Sequence, residues 1–100
     1  HLGNHKEAII DFNKALKLRP DFTDAYFNRA LTKSNMGDTV GAIEDYSMVI
    51  QQEPKFYVAY YNRALLLYNS GNKEKACQDL LTSAKLGYQP AQSQYGKMCK

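Results

Sequence analysis

The amino-acid sequence predicts an all-α chain, and three observations carry the prediction. Apolar residues recur at helical spacing, as in Ile9, Phe12 and Leu16 and again in Ile43, Tyr46 and Ile50. Gly37, Gly71, Pro20 and Pro54 fall at regular intervals, where helices are expected to end. No Val/Ile/Thr-rich alternating stretch competes for strand formation. At 100 residues and 44% apolar content the chain has the size and composition of one small globular domain rather than a disordered tail.

The elements follow in order. A first helix is predicted over 5–18 and is closed by Pro20, which lacks an N–H and biases the residue before it away from helical angles. A second, over 23–36, stops at Gly37, because glycine alone adopts at no cost the positive φ that terminates a helix. Asp38 then offers a side-chain acceptor to the free N–H groups of a third helix over 39–52, which Pro54 closes. The same sequence of signals repeats, giving a helix over 57–70, a stop at Gly71, a cap at Asn72 and a helix over 73–86. A last helix is expected near 90–99, covering the one before it.

The repetition is quantitative. At an offset of 34, Ala25-Tyr26-Phe27-Asn28-Arg29-Ala30-Leu31 falls on Ala59-Tyr60-Tyr61-Asn62-Arg63-Ala64-Leu65. Asn35, Gly37, Ala42 and Asp45 fall on Asn69, Gly71, Ala76 and Asp79. These ten identities in one window of 34 residues compare with about two expected for unrelated sequences of average composition. Upstream, Gly3, Ala8, Ile9, Asp11, Pro20 and Phe22 match Gly37, Ala42, Ile43, Asp45, Pro54 and Phe56.

A 34-residue helix–turn–helix unit with an early aromatic, a small residue four later, a central Gly, then Ala, an aromatic and Pro resembles the tetratricopeptide repeat. One repeat supplies Tyr26, Ala30, Gly37, Ala42, Tyr46 and Pro54; the next supplies Tyr60, Ala64, Gly71 and Ala76. The resemblance implies a right-handed α-solenoid of antiparallel helix pairs. It divides a single domain, 1–100, into the second helix of a truncated repeat (1–22), repeats over 23–56 and 57–88, and a capping helix (89–100). Leu80 and Ser83 depart from the pattern, as does Gly87-Tyr88 in place of the closing turn, and these departures mark the end of the array. Ala8, Ala30, Ala42, Ala64 and Ala76 are expected where helix backbones approach closely, and Tyr26, Tyr46 and Tyr60 as packing residues between helices.

Proteins of this kind hold a peptide or helix on the concave side lined by their first helices. In register, that surface presents Phe27, Asn28, Leu31, Ser34 and Asn35, then Tyr61, Asn62, Leu65, Tyr68 and Asn69. Asparagines can hydrogen-bond an extended backbone, and rings and aliphatic chains can bury anchors. Some relatives clamp the terminal carboxylate of heat-shock chaperones. Asn28 fits that clamp, but Val58 and Asn62 stand where it needs Lys and Arg, so no such clamp is expected.

Arg29 and Arg63 share their period with Asp11, Asp45 and Asp79, which predicts ion pairs between neighbouring helices rather than a ligand site. Cys77 and Cys99 lie symmetrically about Tyr88, where the chain is expected to reverse, so a helical hairpin would set them opposite one another. Either a disulfide or two buried thiols satisfies that placement. Two cysteines and the terminal His1 and His5 do not make a metal site, and no cofactor motif is present.

The sequence contains no nucleophile–base pair, phosphate loop or paired-carboxylate motif, so catalysis is not expected. A non-catalytic module binding a protein or peptide is the expected function. A homodimer through the apolar face of helix 5–18, read as Ile9, Phe12 and Leu16, is the alternative. No acidic residue follows Asp79, whereas Lys85, Lys97 and Lys100 do; a tail this weakly basic is a solvated surface before it is a nucleic-acid site. No run approaches the roughly 20 apolar residues of a membrane span. His1 in place of Met leaves room for an upstream segment, so the compartment stays open: cytoplasm by default, an oxidising one if the cysteines are bonded.

Overall fold

The computed structural model describes residues 4–99. It contains six helices: α1 (His5–Leu18), α2 (Thr23–Asn35), α3 (Thr39–Gln52), α4 (Tyr57–Asn69), α5 (Lys73–Lys85) and α6 (Gln89–Met98). All six fall within a residue of the ranges predicted from the sequence. Gly3, His1 and Lys100, which entered the repeat, metal and charge arguments, lie outside the described residues.

Three helix ends share one device. Gly37, Gly71 and Gly87 adopt φ of 85°, 93° and 101°. The next residue's N–H then reaches back five positions: Asp38 to Lys33 O at 2.8 Å, Asn72 to Leu67 O at 2.9 Å and Tyr88 to Ser83 O at 3.2 Å. Orphan carbonyls at the ends of α2, α4 and α5 are thereby satisfied. Gly87, read from the sequence as a departure, is thus a third copy of the same helix stop. The following helices are capped as expected in two places. Asp38 Oδ1 accepts from Gly41 N at 3.0 Å, and Asn72 Oδ1 from Lys75 N at 3.3 Å. A Cβ at Gly41 would collide with the Asp38 carboxylate, so the small residue there belongs to the cap.

The helices form two compact units, one within His1–Gln52 and the other within Glu53–Lys100. In the first, α1 packs on α2 and α2 on α3. Its buried apolar residues are Leu16, Ala25, Ala30, Ala42, Tyr46 and Val49. Ala30 and Ala42 have no exposed surface, so the backbones of α2 and α3 meet across methyl groups while Tyr46 fills the space beside them. Thr23 Oγ1 donates to Gln52 Oε1 at 2.7 Å, and Gln52 Nε2 to Pro20 O at 3.1 Å, closing the open ends of the α2–α3 pair.

In the second unit α4 packs on α5 and α5 on α6. Ala64, Ala76, Leu80 and Ala91 form its buried centre, ringed by Tyr61, Leu67, Tyr68, Tyr88, Tyr95 and Met98. Leu80 stands where the family prefers an aromatic, and Ala91 of α6 closes over the same core: the shorter side chain lets the last helix approach. Ser83, also fully buried, donates to Tyr57 O at 2.8 Å and so replaces packing by a satisfied hydrogen bond. Cys77 of α5 and Cys99 at the end of α6 are joined in a disulfide, with Cα atoms 5.8 Å apart. The alternative of two reduced thiols is not what the structure contains.

Tyr46 is enclosed, whereas Tyr26 and Tyr60 are half-buried. The Arg29 guanidinium lies 5.5 Å from the Tyr26 ring centre, and the Tyr60 hydroxyl donates to Pro54 O at 3.0 Å. On α1, Leu16 is buried while Ile9 and Phe12 are half-buried.

Candidate protein-interaction site

The chemistry of α2 and α4 begins with what their packing uses. On α2, Ala30 is enclosed, and Arg29 Nε and Nη2 donate to the two carboxylate oxygens of Asp45 on α3 at 2.7 and 2.8 Å. Arg29 Nη1 donates to Asn13 of α1 at 2.7 Å, and Lys33 Nζ lies 3.3 Å from Asp45 Oδ2. The hydrogen bond to Asp45 pushes the Arg29 pKa further above its ordinary value, against the opposing effect of burial. In the second unit Arg63 makes the same fork onto Asp79 of α5, at 2.7 and 2.8 Å. Both aspartates are nearly inaccessible. The arginines therefore tie helices together, as their shared period with the aspartates predicts. The third member, Asp11, is exposed and paired with no cation among the described residues.

Residues predicted for the binding surface separate into those drawn into packing and those left open. Phe27 is half-buried, with its ring edge-on to Tyr46 at 5.8 Å. Asn28 and Leu31 are exposed one turn apart on α2. The Asn28 carbonyl accepts from Thr32 Oγ1 at 3.0 Å, which leaves its side-chain amide at the surface. Ser34 is half-buried; Asn35 is exposed but lines a different feature. That feature is an open cleft of about 380 Å³ formed with Thr32 and with Asn4, His5, Glu7, Ala8 and Asp11 at the start of α1.

On α4, Asn62 and Leu65 are half-buried and Asn69 is exposed. Tyr61 and Tyr68 both border the core beneath α6, and Lys73 Nζ lies 5.4 Å from the Tyr68 ring centre. Tyr88, in the turn before α6, meets Tyr61 edge-on at 5.2 Å and Tyr57 at 5.0 Å. Tyr57 is 42% exposed. This three-ring cluster was not foreseen. Tyr57 is in register with Thr23 and Tyr88 with Pro54, so the repeat carried no signal for it.

Among the described residues no group of His, Cys, Asp and Glu could hold a metal ion, and no helix is long and apolar enough to cross a membrane.

Sequence models described as TPR or tetratricopeptide repeats match residues 1–37, 24–55 and 46–78. The chain belongs to the tetratricopeptide-repeat family. No curated protein matches it significantly over its sequence. Solved structures do. A crystal structure of MamA is 25% identical with a TM-score of 0.84, covering 91% of this chain and 53% of that one. YrrB, described as a TPR protein with an unusual peptide-binding site, is 26% identical with a TM-score of 0.77, covering 86% of this chain and 44% of its own. The Yersinia enterocolitica type III secretion chaperone SycD, solved with a peptide of the translocator YopD, shares the fold at 18% identity and a TM-score of 0.86, over 96% of this chain and 77% of SycD. The chain thus spans about half the length of MamA. Its architecture is the all-helical α-solenoid of these proteins.

Proposed function

We propose that this tetratricopeptide-repeat chain is a non-catalytic protein-interaction module that holds a peptide or helix of a partner protein, the α2 face of the first unit and the α4 face of the second each presenting residues for it. The observation that carries the proposal is the division of labour along α2. Arg29 and Ala30 are consumed by packing, while Asn28 and Leu31, their neighbours in sequence, stay exposed. The same Asn-Arg-Ala-Leu string recurs as Asn62-Arg63-Ala64-Leu65 on α4, where Arg63 and Ala64 are again packing residues. An amide beside an aliphatic side chain offers backbone hydrogen bonding and a shallow apolar contact, the pairing that peptide recognition uses. That SycD is solved with a peptide, and that YrrB is described by its peptide-binding site, supports the reading.

Selection from a displayed peptide library tests it. One motif should be enriched on the wild-type chain and lost on an Asn28→Ala, Leu31→Asp variant that melts at the wild-type temperature. Equal enrichment on that variant removes the α2 face from the proposal, and enrichment on neither protein removes the function.

A further inference from the structure

Four departures from the 34-residue register fall together in the second unit. Thr23, Phe27, Val49 and Pro54 of the earlier repeat are replaced, at the same positions, by Tyr57, Tyr61, Ser83 and Tyr88. The three tyrosines make one cluster. Tyr88 lies 5.0 Å from Tyr57 and 5.2 Å from Tyr61 between ring centres, tilted against the first and edge-on to the second. Ser83 holds the backbone that carries two of them. Its hydroxyl donates to Tyr57 O at 2.8 Å, and its own carbonyl accepts from Tyr88 N at 3.2 Å, so one enclosed residue ties the first turn of α4 to the turn before α6. Val49, its counterpart, has no hydroxyl with which to make the first of these bonds.

The polar ends of the cluster point away from the core. Tyr60 donates its hydroxyl to Pro54 O, but those of Tyr57, Tyr61 and Tyr88 have no hydrogen-bond partner among the described residues. No buried side-chain oxygen among those residues lacks a partner, so the half-buried Tyr61 and Tyr88 carry their hydroxyls to solvent. Tyr57 is exposed beside them.

We propose that Tyr57, Tyr61 and Tyr88 form a docking platform for a proline-rich segment of a partner protein in the polyproline II conformation. This rests on the reading of the chain as a peptide-binding module and names the class of peptide taken at the start of α4. Ring spacing and hydrogen-bonding capacity select the occupant. Rings in mutual contact leave no gap for a cation, so the cluster is a surface to lie on and not a cage for a methylated lysine. None of the four residues is charged, so an acidic or phosphorylated segment finds no counter-charge within the cluster. A polyproline II strand has the complementary chemistry: apolar rings that pack on aromatic side chains, and carbonyls with no internal partner that accept from phenolic hydroxyls. Both surfaces are formed before they meet, the platform through Ser83 and the segment through its proline rings, which limits the entropy lost on binding.

The test uses the 100-residue chain and fluorescein-labelled decaproline, read by anisotropy against an alternating Gly-Ser peptide of equal length. Decaproline should bind at least about tenfold more tightly than the Gly-Ser peptide, and its NMR shifts should centre on the rings of Tyr57, Tyr61 and Tyr88. Tyr57→Ala should weaken binding about tenfold, and Tyr57→Phe, which keeps the ring and removes only the donor, about threefold. Tyr60→Phe, whose hydroxyl is engaged within the chain, should leave decaproline binding unchanged. Equal affinity for the two peptides, or an affinity that Tyr57→Ala does not alter, overturns the proposal. So does a single-stranded oligothymidine that binds more tightly than decaproline and is lost in Tyr57→Ala, which assigns the platform to stacked bases. If decaproline fails while the displayed library still yields a motif that depends on Asn28, the platform falls and the peptide-binding function stands.

Discussion

Replacing Arg63 by alanine is the sharpest test of the reading that the repeated arginines are structural. Its guanidinium makes two charge-assisted bonds of 2.7 and 2.8 Å to Asp79, and the two side chains are only 12% and 5% exposed. Removing the cation leaves a carboxylate enclosed between α4 and α5 with no counter-charge. Breaking such a pair from one side costs about 3–5 kcal/mol, and the lower end applies because the guanidinium edge meets water. At about 4–8 °C per kcal/mol for a domain of this size, about 3 kcal/mol corresponds to a fall in Tm of roughly 12–24 °C. The chain has no tryptophan, so the melt is followed by circular dichroism at the helix minimum. Asp79→Ala should cost less, about 1–2 kcal/mol, since the long arginine side chain it orphans can turn toward solvent. The double variant should be more stable than the sum of the two losses implies, because each single change leaves the other charge stranded. A Tm shift below about 2 °C for Arg63→Ala, with partner binding lost instead, refutes the structural assignment and makes Arg63 a ligand residue.

Three further outcomes follow from the packing. Reduction, or Cys77→Ser with Cys99→Ser, opens a bond that joins positions 22 residues apart and should cost about 3 kcal/mol. Amide exchange should then accelerate first in Gln89–Met98, and two free thiols found by mass spectrometry in protein prepared without reductant would dismiss the bond. Ala64→Leu forces a larger side chain into the fully enclosed centre of the second unit and should destabilise by about 1–3 kcal/mol, read by urea titration; an unchanged midpoint would place Ala64 outside the core. Gly71→Ala meets no atom within 4 Å, so its cost is conformational only. That cost is about 1–2 kcal/mol, and Gly71→Asn should recover part of it. Equal stability of the two variants would show that the positive φ is not what ends α4.

The helices were legible because their signals are local. A glycine that must take positive φ, an Asp or Asn that caps, and a proline that stops a turn each act within a few residues, so Gly37, Asp38 and Pro54 fix boundaries wherever the rest of the chain lies. The cysteine pair was legible for a related reason: two positions equidistant from a hairpin turn are opposite by symmetry, although symmetry alone does not say whether they bond. What escaped was everything that depends on a neighbour without a repeat partner. Tyr57 and Tyr88 meet because α6 turns back at Gly87, and no other repeat contains that contact. Asn35 and Asn69 are the same residue in register, yet Asn35 borders a cleft with α1 and so belongs to a different surface from Asn28.

The same register that obscures such differences also gives them meaning. In a repeat protein each position is observed several times against nearly constant chemistry, so a residue that changes environment while keeping its identity reports on its neighbours rather than on itself. Asp11, Asp45 and Asp79 are one residue type at one position, and only their covering helices differ. Two are enclosed by bidentate arginines, where a carboxylate is tolerated because it is paired, while Asp11 is exposed. Asn28 and Asn62 are the converse case. They repeat beside arginines and alanines that helix packing uses, and Asn28 is exposed whereas Asn62 is half-buried. A substitution at Asn28 therefore tests the proposed α2 surface without disturbing the packing residues Arg29 and Ala30 beside it.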